Sequence, residues 1–112
     1  MTIDEFIEAR IDEDEAIARS TVQRSQSWQD FTMDGELRDD ENAGTIAIAL
    51  APQDRAHIAS HDPARVLRQA EAIRRALTVL DDCDDSGLVY QVERALAASW
   101  STHPDYREDW AA

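Results

Sequence analysis

Lysine is missing from this chain: all eleven basic residues are Arg. That is chiefly a footprint of GC-rich coding sequence and says little about function. Cysteine is nearly missing too, and a lone Cys83 cannot form an internal disulfide, which fits a reducing compartment. Only three Gly and three Pro punctuate the 112 residues. No apolar run approaches the ~20 residues of a membrane span. The opening Met1-Thr-Ile-Asp-Glu-Phe6 is acidic where a secretory signal would be basic and then continuously apolar. A cytoplasmic protein with no membrane insertion is expected. No Gly-rich phosphate loop, nucleophile elbow or cofactor fingerprint is present. Ser60 and His61, adjacent on a helix, point apart, and Cys83 lies among acids, a poor setting for a nucleophilic thiolate. The chain reads as non-enzymatic and without a cofactor.

Acid is what the sequence has in excess. Asp and Glu number 24 against 11 Arg, a net charge of −13. Residues 1–62 hold 15 acids and 5 Arg (−10), and residues 63–112 hold 9 acids and 6 Arg (−3), so the amino-terminal half makes the field. Such a field repels phosphate backbones, so direct nucleic-acid binding is not expected. The leading functional expectation is an acidic protein-protein interaction module that binds a basic partner, nucleic-acid mimicry being one form of it. Asp12, Glu13, Asp14 and Glu15, with Asp39, Asp40 and Glu41, are the candidate partner-binding residues; the plainer alternative for these runs is a solvated surface.

Hydrophobic residues make up 43% and charged residues 31%, the globular range. A chain of this length buries roughly two thirds of the surface its unfolded form exposes and makes one domain, 1–112. The class expected is α+β, mostly helical. Thr2 and Glu5 have capping-box spacing, and Ile3, Phe6, Ile7, Ile11, Ile17, Ala18 and Val22 follow at helical intervals. Trp28, Phe31 and Met33, the turn dipeptide Asp34-Gly35 and the alternating Thr45-Ile-Ala-Ile-Ala-Leu50 predict a β-hairpin, with the polar Glu36–Gly44 as its long tip. Pro52–His61 reads as a short helix. Asp62-Pro63 then opens the most regular helix, since Asp accepts from free N–H groups and Pro at the first position forfeits no bond.

In that helix Val66, Ala70, Ile73, Leu77 and Leu80 are spaced 4-3-4-3, an a/d seam that the chain's own helices or a second copy must cover. A homodimer through the 63–80 seam is the favoured arrangement. The acidic run Asp81–Asp85 with Gly87 should be solvated loop. Leu88, Val89, Val92, Ala95, Leu96 and Trp100 make a last helix antiparallel to the previous one, and a tail carrying Tyr106 and Trp110 should fold back.

Three histidines offer the alternative chemistry. His57 and His61 at i, i+4 share a helix face, and with His103 they make a candidate zinc-binding or hydrolytic site to which Asp62 or Asp105 could add a carboxylate. The metalloprotease helix motif needs Glu after its first His, and Ile58 stands there instead. The structural alternative has His57 as a half-buried packing residue and His61 beside the Asp62 cap.

The opening Met1-Thr-Ile-Asp-Glu-Phe-Ile-Glu-Ala-Arg-Ile-Asp-Glu-Asp-Glu15, the central His57-Ile-Ala-Ser-His-Asp-Pro-Ala-Arg-Val-Leu-Arg68 and the closing His103-Pro-Asp-Tyr-Arg-Glu-Asp-Trp110 resemble a family of small acidic uncharacterised proteins of actinobacteria and their phages, carried as a domain of unknown function. Trp28–Leu50 matches nothing in that pattern, and Ile73 stands where the family usually has a basic residue. The resemblance implies a cytosolic accessory protein of a phage or prophage.

Overall fold

The computed structural model describes residues 1–21, 27–31, 36–39, 45–48 and 51–111. In chain order they form α1 (Ile3–Arg19), β1 (Trp28–Phe31), β2 (Glu36–Asp39), β3 (Thr45–Ile48), α2 (Pro52–Ser60), α3 (Pro63–Asp81) and α4 (Ser86–Ala97), then single 3-10 turns at Ala98–Trp100 and Glu108–Trp110. This is the mostly helical α+β class expected. The chain divides into two compact units, one of residues 1–13 with 70–112, the other of residues 14–69.

The first unit holds the larger core. Its helix start is fixed by Thr2, whose hydroxyl accepts from the Glu5 N–H at 3.4 Å and donates to the Asp4 carboxylate. Asp4 and Glu5 stand in the first turn, where the helix dipole favours negative charge. Ile3, Phe6, Ile7 and Ile11 are buried together with Ala70, Leu77, Ala97 and Trp110, and Ile73, Leu80, Leu96, Trp100 and Tyr106 pack against them. The α3 seam is thus covered within the chain from Ala70 onward. Phe6 lies within 5.9 Å of the Tyr106 ring and 5.0 Å of the Trp110 ring, centroid to centroid, and the Arg94 Nε–H donates to the Trp110 carbonyl at 2.9 Å. The tail folds back as expected.

The acids after α3 are exposed, and residues 82–85 form loop as expected, with one further use. Asp85 is the N-cap of α4, accepting from the Leu88 N–H at 3.0 Å, so the α4 dipole favours the nearest carboxylates. Gly87 sits in the first turn of α4 rather than in the loop. Within α4, Glu93 carries a pKa raised above its ordinary 4.5, first by burial and then by the negative charges of Asp4 and Asp81. Ionised Glu93 therefore costs stability at neutral pH. The cost is relieved as pH falls through the raised pKa, because the folded chain then takes up a proton more readily than the unfolded one. Glu93→Gln should be more stable than the parent at pH 7, with the difference fading towards pH 4; equal stability of the two at pH 7 in urea titrations would contradict the assignment.

In the second unit the three strands make an antiparallel sheet ordered β1-β2-β3. The expected hairpin has gained a strand, for Glu36–Asp39 is the middle of the sheet rather than part of a loop tip. Leu37 explains it: 1% exposed, it faces inward, while Glu36 and Arg38 on the opposite face pair with each other. A register shift falls between Leu37 and Arg38 on the β3 side. α2 packs against β1 and β2, with Arg55 only 3% exposed. Ala18 of α1 is buried, whereas Ile17, expected on the apolar stripe, is exposed. Ala18 lies seven residues beyond Ile11, two turns along the same face, and Ile17 falls to one side of it. Val22, Met33, Asp34-Gly35 and Asp40–Gly44 lie outside the described residues, as do the side chains of Phe31 and Ile48.

Asp62 joins sheet to helix. One carboxylate oxygen accepts from the Arg65 N–H at 2.9 Å, capping α3, and the other accepts from the Trp28 N–H at 3.1 Å, at the start of β1. Asp62→Ala should cost about 2 kcal/mol, roughly half from each bond. Asp62→Asn keeps one acceptor oxygen and should cost less. Chemical denaturation measures both, and equal losses for the two variants would refute the double role.

Candidate functional site

Three groups of polar side chains bear on function, and the first is centred on Arg10. It occupies the apolar stripe of α1, one turn beyond Phe6 and Ile7, and is 8% exposed. Its guanidinium lies 5.3 Å from the Phe6 ring centroid and reaches Glu13 at 3.2 Å, Asp105 at 3.5 Å and the His103 Nδ1 at 2.8 Å. The Asp105 backbone N–H also donates to that Nδ1, at 3.0 Å. A backbone N–H can only donate, so Nδ1 is the bare nitrogen and the ring proton sits on Nε2, 3.9 Å from Glu13. The guanidinium, the imidazole and the two carboxylates hold the closing block to α1. Sequence reasoning passed over Arg10 because it counts as polar, although its place on the stripe was readable.

The second group is the acidic run of α1. Asp12 accepts from Arg74 at 2.7 Å, Glu13 pairs with Arg10 and Glu15 with Arg19 at 3.2 Å, and Asp14 is engaged as well. The run is therefore laced into the fold, yet Asp12 and Glu13 keep 73% and 51% of their side-chain surface exposed. Asp4, Glu5 and Glu8 are exposed on the same helix. Asp40 and Glu41, like the Asp39 side chain, lie outside the described residues.

The third group is the histidine pair. His57 and His61 are both exposed, with ring centroids 4.5 Å apart, and His57 is not the half-buried packing residue expected as the structural alternative. They belong to the second unit, whereas His103 belongs to the first and turns its Nδ1 to Arg10 and Asp105. Among the described residues no group of three or more His, Cys, Asp or Glu could hold a metal ion. Cys83 is half-buried and free. No described helix is long and apolar enough to cross a membrane.

The sequence matches the Family of unknown function (DUF6221) over residues 1–112. The chain belongs to this family. No curated protein and no solved structure matches it. Membership thus places the whole chain, including the Trp28–Leu50 region that no earlier resemblance covered, in one uncharacterised family.

Proposed function

We propose that this protein is a non-enzymatic accessory module that binds a basic surface of a partner protein through its carboxylates, with nucleic-acid mimicry as one form of that binding. The observation that supports the reading is α1: Asp4, Glu5, Glu8, Asp12 and Glu13 are all exposed on it, in a chain whose net charge is −13. A negative field of that size draws in basic partners from beyond contact distance and sets which partners are rejected. The Asp12–Arg74 pair is no obstacle, because exposed ion pairs are worth about 0–1 kcal/mol and a partner's guanidinium can replace the internal one. The likeness of the opening, central and closing blocks to proteins of actinobacteria and their phages supports an accessory role in a phage or prophage, acting on a host or phage protein. The single cysteine supports a reducing, cytoplasmic setting.

Immobilised protein should retain a basic protein from a lysate of its source cell at low salt and release it as salt rises and the Debye length shortens. Retention that ignores salt, or no retention at low salt, would refute the electrostatic reading.

A further inference from the structure

We infer that His57 and His61 form a two-imidazole chelate for a divalent late first-row transition-metal ion on the outer face of α2. On a helix, residues four apart stand one above the other, and here both rings are exposed with centroids 4.5 Å apart. The hydrogen bonding of His61 selects its ligating atom. His61 Nδ1 lies 2.9 Å from the His57 carbonyl oxygen. A carbonyl can only accept, so Nδ1 carries the proton and Nε2 presents a bare lone pair. An imidazole whose Nδ1–H is held by a backbone carbonyl is the arrangement that orients metal-bound histidines and raises their basicity as ligands. Ser60 supports it: its hydroxyl donates to the same carbonyl at 2.8 Å and lies 3.0 Å from His61 Nδ1.

The surroundings favour a cation. The pair sits at the C-terminal end of α2, where the dipole is negative, and exposed Asp54 stands on the same face three residues before His57. Arg65 reaches this helix end but donates to the Ser60 carbonyl at 3.4 Å, leaving the His57 carbonyl to His61 and Ser60. Packing of α2 on the sheet gives the two ligands a fixed base. Two neutral nitrogens leave the remaining positions to water. That donor set suits Cu²⁺ best, then Ni²⁺ and Zn²⁺, following the affinity order of nitrogen ligands.

Only three histidines are present, so their ring C–H signals are readily assigned by substitution. Substoichiometric Cu²⁺ added to the whole protein should broaden the His57 and His61 signals together and spare His103. In calorimetric titrations with Ni²⁺, His57→Gln and His61→Gln should each bind roughly tenfold more weakly or worse than the parent, since the second imidazole acts at high effective concentration once the first is bound. Both positions are exposed, so circular dichroism should show both variants folded. Equal broadening of all three histidines, or Ni²⁺ affinity unchanged in both variants, would overturn the proposal.

Discussion

Phe6→Ala should lower the stability of this protein by about 3–5 kcal/mol, the range for emptying a fully buried aromatic site. Phe6 is 0% exposed and is flanked by the rings of His103, Tyr106 and Trp110 at 5.9, 5.9 and 5.0 Å. Edge and tilted ring contacts of this kind add to plain burial, and none survives truncation to a methyl group. At about 4 °C per kcal/mol for a chain of this size, the melting temperature should fall by roughly 12–20 °C. The loss should not be confined to α1, because Phe6 is what the closing block packs on. Amide exchange should therefore show residues 103–110 losing protection along with α1. A loss below about 1 kcal/mol, or full protection of the closing block in the variant, would refute this account of the core.

The second large effect is expected at Arg10. Arg10→Ala removes the guanidinium from Glu13, His103, Asp105 and the face of Phe6, and also removes the aliphatic stem of a side chain that is buried with it, which together should cost about 2–3 kcal/mol. The figure stays at the low end for a buried cation because Glu13 and Asp105 are half exposed or more and remain hydrated once their partner is gone. Arg10→Met separates the two contributions. It restores most of the apolar contact without the charge, and well-packed apolar replacements of buried ions are often close to neutral. Methionine should thus recover at least half of the loss seen with alanine. If the two variants are equally destabilised, the polar contacts hold the closing block and the stem contributes nothing; if neither is destabilised, Arg10 does not hold it at all.

Helix starts were legible because each depends on a few adjacent residues. Thr2, Pro52 and the Asp62-Pro63 pair satisfy or tolerate free N–H groups locally, and periodicity did the rest for α1, α3 and α4, whereas the Asp85 cap of α4 went unread. β2 was not legible, since Glu36–Asp39 offers one apolar residue among three charged ones and a period of two cannot be read from a single Leu37. What makes it a strand is pairing with β1 and β3, a non-local fact. Arg10 was hidden for a related reason: its partners His103 and Asp105 lie more than ninety positions away in sequence. The α3 seam showed that something must cover it, and spacing alone could not distinguish the chain's own core from a second copy. The histidine spacing was plain, but only the structure showed both rings exposed and the Nδ1 of His61 on a backbone carbonyl.

The central claim, that carboxylates exposed on α1 carry binding to a basic partner, is tested most directly by two variants of equal charge. One neutralises Asp4, Glu5, Glu8 and Asp12, the other Asp81, Asp82, Asp84 and Glu108; each changes the net charge from −13 to −9 (−13 + 4). Affinity for the retained partner is then measured across a salt series. The account predicts that the α1 variant binds roughly tenfold more weakly or worse, with a flatter salt dependence, while the other stays near the parent. Equal weakening of the two variants would show that only net charge matters, and unchanged binding of the α1 variant would contradict the claim outright.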